Sequence, residues 1–552
     1  MQCDIEHALL VAGAKNVRFE SQRYFFTVNG DSHPWQLEVQ WDDLTVLPEF
    51  FLATEHCSRH HPHVSWNRKV CYSDGEGISF DYEMLEAVLA EALAEAVAVL
   101  DAGDDGDLCP FWDESEGYFN LLDKRENRGN ASCYFPIDGN PRKLKSSQQS
   151  THPYRINFFE NNTQCWLPDS SSSFKALALK KGGRKEQCNP AAFYLPLDKP
   201  PVPPLPGQAW TIGEILGLVE PFIGKVPDLD KHLKKRQQYY VFSTPRSDGS
   251  RGAFAVHINQ KNAGEQIRYY TVHRHARDYL LARGGLPEVQ PKTRQRVAII
   301  GCGAVGGYLA NLLAQNGYQD FTLVDYDTFH ADNCYRHILP KHYVGVLKVF
   351  ALKHLLEKSY IEVSITPVDK SANDWATPEN IAGHPVIISA TGNPTLERRL
   401  NQLFQQQNLT GHIFLSTWLE PVGLGGHVVL TTAESQGCLN CLFTKENEFS
   451  AVPTISFIEP GQKITRNLTG CGGAFTPFSG LDAQQTALMA ARTLEAYLCG
   501  QRNSIYDCWI GNRKVADLAK IATSAVYDTH FAEKQDWWQQ KLRHGCPECR
   551  RQ

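Results

Sequence analysis

Three groups of residues in this 552-residue chain have types and spacings that could do chemistry. The first is Gly301, Gly303 and Gly306, which follow the apolar run Val297, Ala298, Ile299, Ile300 and lead into helical apolar spacing at Leu309, Leu312 and Leu313. A strand entering a tight glycine turn at a helix N-terminus cradles phosphate, because free backbone N–H groups and the helix dipole both face the anion. In the next strand-like stretch, FTLVDYD, Asp325 stands nineteen positions after Gly306, where a carboxylate meets a ribose hydroxyl. Dinucleotide oxidoreductases and ATP-binding enzymes share that much. The second group separates them: Asp327, Asn333, Arg336 and Lys348 supply an amide and two cations where a triphosphate needs its charge neutralised. A nicotinamide site has little use for them.

The third group is thiols. Cys471 lies beside Gly470, Gly472 and Gly473, ahead of a helical run containing Leu481, Leu488 and Leu494. Glycines on both sides give a loop the freedom for close approach and large movement. Cys71 follows RHHPHVSWNRKV and precedes Gly- and Asp-rich sequence, the setting of an attackable loop thiol. Cys109 is the rival to Cys71, and Cys57 comes third. Cys438/Cys441 and Cys546/Cys549 form two CxxC pairs, four thiolates, the number a closed tetrahedral zinc site needs. More than a hundred residues separate the pairs, which excludes a finger-like ribbon.

The elements that must position these groups follow from the rest of the chain. Composition is globular, 42% hydrophobic and 21% charged, with room for three or four domains. A net charge of −6 argues against a nucleic-acid surface, and Lys231, Lys234, Lys235 and Arg236 read as a solvated helix face. The acidic N-terminus lacks a signal peptide's basic region, and no apolar run approaches membrane-spanning length, so a cytoplasmic, reduced protein without a membrane role is expected. Residues 1–125 read as an α+β unit: RYFFTV and WQLEVQW as neighbouring antiparallel strands, then a helix over DYEMLEAVLAEALAEAVAVL. Residues 126–265 read as a connector or docking region, with strand-like YRINFF, FKALALKK and AAFYLPL, a stiff proline spacer at 200–206, and strands YYVFST and GAFAVHIN. Residues 266–552 read as a Rossmann-like α/β domain, with a helix over YTVHRHARDYLLARGG just before its glycine strand.

From the glycine turn through Lys348 the sequence resembles the adenylating domain of the ThiF and MoeB family and of ubiquitin-activating enzymes. The resemblance implies ATP as substrate, a catalytic cysteine at Cys471, zinc on the two CxxC pairs, and a homodimer in which an arginine before the glycine strand, Arg274 or Arg277, reaches the partner's nucleotide. In the family the strand ending C-T-D-N gives an aspartate to magnesium. Gly392 holds that position here, which leaves magnesium to phosphates and water or to another acid such as Asp327 or Glu420. His61-Pro62-His63, seven residues and Cys71-Tyr72 resemble the HPN-x7-CL core of ubiquitin-conjugating enzymes, with His63 replacing the asparagine. Together these resemble bacterial fusions of activating and conjugating enzymes from CBASS antiphage and related ubiquitin-like operons. The implied partners are a ubiquitin-like or other protein with a C-terminal tail and a target protein, in CBASS a cGAS-like nucleotidyltransferase. A sulfur-carrier adenylyltransferase and an NAD-dependent oxidoreductase are the alternatives.

Overall fold

The computed structural model describes residues 5–542 except 57–60, 66, 74, 76–77, 79, 81–83, 105–112, 121–128, 149–154, 161–188, 202–209, 261–265, 283, 285–294, 435–436, 446–447, 450–451, 463, 468–473 and 501–504. They divide into two compact units, Met1–Tyr279 and Leu280–Gln552. Among the described residues no helix is long and apolar enough to cross a membrane.

The first unit opens with helix α1 (Ile5–Val11) and an antiparallel meander, β1 (Lys15–Glu20), β2 (Arg23–Asn29), β3 (Pro34–Gln40) and β4 (Glu49–Leu52). The two stretches read as neighbouring strands pair in register, Phe26 opposite Leu37 and Val28 opposite Trp35. Helix α2 (Leu85–Asp104) covers the sheet with Leu85, Leu89, Leu93, Ala96 and Leu100, all at helical spacing and all buried with Phe26, Leu37 and Phe50. Trp35 is fully buried, and its indole N–H donates to Asp101 of α2 at 2.8 Å. Helix and sheet are thus tied at a site where truncation to alanine costs about 3–5 kcal/mol.

The stretch read as a connector is folded. After α3 (Ser115–Asn120), strands β5 (Gly129–Tyr134), β6 (Arg142–Gln148), β7 (Arg155–Phe159), β8 (Asn189–Pro196), β9 (Gln237–Pro245), β10 (Arg251–Asn259) and β11 (Gln266–Arg274) close a barrel in the order β10-β11-β5-β7-β6-β8-β9. One face of these strands packs Ala131, Phe158, Tyr194, Val241, Ala255 and Tyr270 together. The other packs Phe193, Tyr240, Phe242 and Phe254 against α4 (Ile212–Val219), which carries a capping box at Thr211 and Glu214. FKALALKK and most of the proline spacer lie outside the described residues.

The helix expected over 270–285 is corrected. Burial alternates with period two, Tyr270, Val272 and Arg274 in and His273 out, and β11 hydrogen-bonds on both sides, so the segment is strand up to Arg274. Among the described residues of that stretch, α5 (Arg277–Ala282) alone is helical.

In the second unit a seven-stranded sheet runs β14-β13-β12-β15-β16-β17-β18. Its strands are β12 (Val297–Ile300), β13 (Asp320–Val324), β14 (Ser364–Val368), β15 (Val386–Ser389), β16 (Ile413–Leu419), β17 (Gly425–Thr432) and β18 (Ile505–Ile510). The first five in that order of numbering pair in parallel; β17 and β18 are antiparallel additions. All four residues of β12 and of β15 are buried, as continuous apolar runs must be when helices cover both faces. The longer helices, beside two single-turn ones at Ala372–Trp375 and Pro378–Ala382, are α6 (Ala304–Gln315), α7 (Lys348–Ser359), α8 (Pro394–Gln407), α9 (Gly480–Leu498), α10 (Arg513–Ala519) and α11 (Ala525–Leu542).

Candidate nucleotide and thiol sites

The glycine turn sits at the carboxyl end of β12, between strand and α6. Gly301 has φ +87°, and a side chain there would meet the Ala390 carbonyl at 2.8 Å; a side chain on Gly306 would lie 1.9 Å from the Gly301 carbonyl. Gly303 caps α6 and faces open space. The three glycines therefore do separate jobs: turning the chain, leaving the mouth clear, and letting α6 close on the loop.

Asp325 holds the loop to the second strand. Its carboxylate accepts the Cys302 N–H at 2.7 Å and the Asp327 N–H at 2.8 Å, and the lone pairs left over are available to a ribose hydroxyl. Lys348, the first residue of α7, is buried with its ammonium on Asp327. Burial works to raise the Asp327 carboxyl, but the hydrogen bond and charge of Lys348 outweigh it and hold the group below the usual range. Asn333 spends its amide oxygen on the His330 N–H at 3.1 Å, fixing the turn that carries Arg336. The Arg336 guanidinium lies over the Phe478 ring at 5.1 Å, and α9 begins close by, a side chain on Gly480 lying 2.8 Å from the Tyr335 carbonyl. Phe478, Ser479 and Asp482 also line a cleft of about 1110 Å³ with Val422, Trp509 and Arg513. Gly301, Gly303, Gly306, Asp325, Asp327, Asn333, Arg336 and Lys348 thus fall on one unit at the strand ends.

Two residues here were missed by sequence reasoning. His337 is buried, its Nε2–H donates to the Cys302 carbonyl at 2.9 Å, and its Nδ1 accepts the Leu339 N–H at 3.1 Å. Burial is the main reason its pKa falls to about 4, so it props the glycine turn as a neutral imidazole. Glu397, in the first turn of α8, accepts from Thr391 Oγ1 at 3.1 Å and the Gly392 N–H at 3.2 Å while only 3% exposed, and burial pushes it up to about 8. No motif marks either residue. Each reaches the loop only through the fold.

Gly392, at φ +63°, brings no carboxylate. Glu420 does not replace it: buried, it accepts the Phe457 N–H at 3.1 Å and hydrogen-bonds His427 Nε2 at 3.0 Å. Arg274 is likewise committed elsewhere, its buried guanidinium paired with Glu116 inside the first unit. Arg277, on α5, pairs with Asp278 at 3.1 Å.

Cys71 is exposed, at the end of a small hairpin closed by the Val64–Val70 bridge, and its N–H donates to the His63 carbonyl at 2.7 Å. The surrounding protein shields the sulfur enough to raise the thiol pKa, and the charge of Glu114 adds to that. His63 Nδ1 is 2.9 Å from Glu114 Oε1. Cys441 Sγ accepts the Cys438 N–H at 3.4 Å, which closes the CxxC turn. Cys471, Cys546, Cys549, Cys57 and Cys109 lie outside the described residues, among which no group of three or more His, Cys, Asp or Glu could hold a metal.

A largely parallel sheet with a glycine turn at its first strand–helix junction and a carboxylate after the second strand defines a mononucleotide-binding α/β domain. Residues 275–506 match the ThiF family, so the C-terminal half of the chain carries a ThiF-family domain. The chain is 29% identical over 257 residues to the ATP-dependent ubiquitin transferase-like protein Cap2 of Vibrio cholerae, an alignment covering 44% of this chain and 42% of that protein. Against the Cap2 of Escherichia coli strain TW11681 the alignment covers 86% and 87% at 23% identity. It is also 30% identical over 148 residues to the molybdopterin-synthase adenylyltransferase of Salmonella typhimurium, covering 27% and 58%. The alignments to the Vibrio and Pseudomonas aeruginosa Cap2 proteins thus span less than half of either relative. A crystal structure of E. coli MccB with ATP aligns over 43% of this chain and 65% of that one, at 18% identity and a TM-score of 0.31.

Proposed function

We propose that the chain activates the C-terminal carboxylate of a ubiquitin-like or other tailed protein with ATP and passes it along two cysteines to an amine on a target. The observation that carries this reading is the cradle itself: a side-chain-free glycine turn, Asp325 beneath it, and Lys348 and Arg336 at its rim. The family match and the names of the relatives support adenylation as the first step.

In the first step a carboxylate oxygen of the tail bonds to the α-phosphorus of ATP and pyrophosphate leaves, while Lys348 and Arg336 oppose the charge that develops. Cys471 then bonds to the acyl carbon, expelling AMP. Cys71 takes the acyl group by thiol exchange, and the target amine takes it from Cys71. Both thiols belong to one chain, so the exchange runs at an effective concentration set by the chain between them rather than by diffusion. Asp327, kept ionised by Lys348, is the residue that would hold magnesium here. Cys438 and Cys441 are half of the thiolate set that would hold zinc, a structural ion that would tie the chain's end to the sheet. The reading includes a homodimer through the ThiF domain, with Arg277 reaching toward the partner's site, a cytoplasmic setting, and service in antiphage defence.

The test is a gel. The full chain is incubated with ATP and a candidate carrier and run without reductant, beside Cys471→Ala and Cys71→Ala. The relay predicts no adduct without Cys471 and a trapped first adduct without Cys71. A normal adduct pattern in both variants, or no ATP–pyrophosphate exchange with any tailed carrier, overturns it.

A further inference from the structure

Asp113, Glu114, Ser115 and Glu116 are consecutive, yet their side chains divide between two places. Glu114 turns to the thiol hairpin, where it meets His63 at 2.9 Å. His63 stands directly across that hairpin from Cys71: the Cys71 N–H to His63 carbonyl bond, the Val64–Val70 bridge and the Ser65 N–H to Lys69 carbonyl bond are successive rungs. The other three residues go to the barrel. Asp113 accepts from the Ser247 N–H at 2.7 Å and its hydroxyl at 2.8 Å, and Ser115 Oγ lies 2.5 Å from Thr244 Oγ1, both buried. Glu116 pairs with Arg246 at 3.0 Å and with Arg274. Gly252 makes room for this docking, since a side chain there would come within 2.9 Å of Ser115 Oγ.

We propose that the barrel sets the position of Glu114 against the Cys71 hairpin, so that Glu116, Arg246 and Arg274 are positioning residues for the chemistry of that thiol. The inference rests on the reading of Cys71 as an acyl acceptor. In the transfer step the target nitrogen bonds to the acyl carbon, the carbon–sulfur bond breaks with its electron pair left on sulfur, and the proton lost by nitrogen returns to that sulfur. A carboxylate fixed beside the site draws in a cationic amine, which gives one proton to that carboxylate or to water and attacks as the neutral amine; the same negative charge favours the return of the second proton to sulfur. The charged groups that act on the thiol are Glu114, just ahead of α3, and Lys69 from the hairpin, Lys69 being itself paired with Glu49 at 2.5 Å, while the His63 ring meets Glu114. From α2, Asp104 turns instead toward His33 and His61.

The experiment follows alkylation of Cys71 by iodoacetamide in the full chain against pH, with the Cys71 peptide quantified by mass spectrometry. Glu114→Gln is expected to lower the midpoint and speed alkylation at pH 8 about threefold. Glu116→Gln and Arg246→Gln are expected to shift the midpoint the same way, and Glu114→Gln/Glu116→Gln to shift it no further than Glu114→Gln alone. Arg246 is partly exposed, so its variant tests the clamp even where Glu116→Gln does not fold. A wild-type midpoint in Glu114→Gln, or in Arg246→Gln beside a shifted Glu114→Gln, overturns the proposal. Alkylation needs no carrier. A failed clamp therefore shows as unmoved midpoints, and a failed acceptor reading as wild-type protein without a Cys71 adduct.

Discussion

Replacing Glu397 with glutamine should make the chain more stable in alkali. In the folded protein the carboxyl is 3% exposed behind the Gly392 turn, and burial lifts its pKa from an ordinary 4.5 to about 8 against the hydrogen bonds from Thr391 and Gly392. The folded value lies above the unfolded one, so the stability this group contributes is fully present below about pH 4.5 and is lost as pH rises through about 8. A gap of roughly 3.5 pH units corresponds to about 5 kcal/mol, of which about 3 kcal/mol is lost between pH 6 and pH 9. Glutamine keeps the amide oxygen that accepts from Thr391 Oγ1 and the Gly392 N–H and removes the titration. Calorimetry of both full chains across that range should show the variant gaining on the wild type by roughly 5 °C, since a unit of this size moves about 2 °C per kcal/mol. Parallel curves would refute the reasoning. The same logic bears on the nucleotide: a neutral Glu397 at pH 7 does not stand in for the carboxylate absent at Gly392, so Glu397→Gln should retain its stabilisation by ATP.

Gly306→Ala should weaken ATP binding at least tenfold, about 1.4 kcal/mol, because the added carbon lands 1.9 Å from the Gly301 carbonyl and forces the loop apart; a thermal-shift titration reads it, and unchanged affinity would move the phosphates elsewhere. Lys348→Ala should abolish pyrophosphate exchange while Asp327, freed of its cation, titrates at a higher pH by NMR. His337 has its folded pKa below the unfolded one, so its contribution, about 3 kcal/mol, is present above pH 6.5 and lost as pH falls toward 4. His337→Gln should accordingly flatten acid unfolding, and an equally steep curve would assign the acid sensitivity to other groups. Purified protein should carry close to one zinc per chain, lost in Cys438→Ser; metal analysis well below that in wild type would remove the metal site.

The glycine turn, its carboxylate and the downstream cations were legible in the linear sequence because each is local: a strand, a turn with obligatory glycines and a helix start lie within a few residues, and backbone sterics dictate the residue types. The antiparallel strands and the α2 helix of the first unit were legible for a similar reason, since periods of two and of 3.6 are written directly into the apolar pattern. The barrel was not. Its strands pair across long gaps in the chain, and short apolar pieces between polar ones carry no mark of their partners. Arg274 shows the consequence: a segment that scans as a basic helix became strand once β10 and β5 bonded to both its edges, and its charge went to Glu116, more than 150 residues earlier.

What the sequence determined by itself, then, is the cradle and the inventory of thiols, because local stereochemistry and residue type suffice for those. Which polar groups support them was decided only in three dimensions. His337 under the glycine turn and Glu397 behind Gly392 owe their protonation states to burial, and the Cys71 thiol is raised by burial and by Glu114, brought from another element. Desolvation and charge pairing act through space, and no spacing along a chain encodes them.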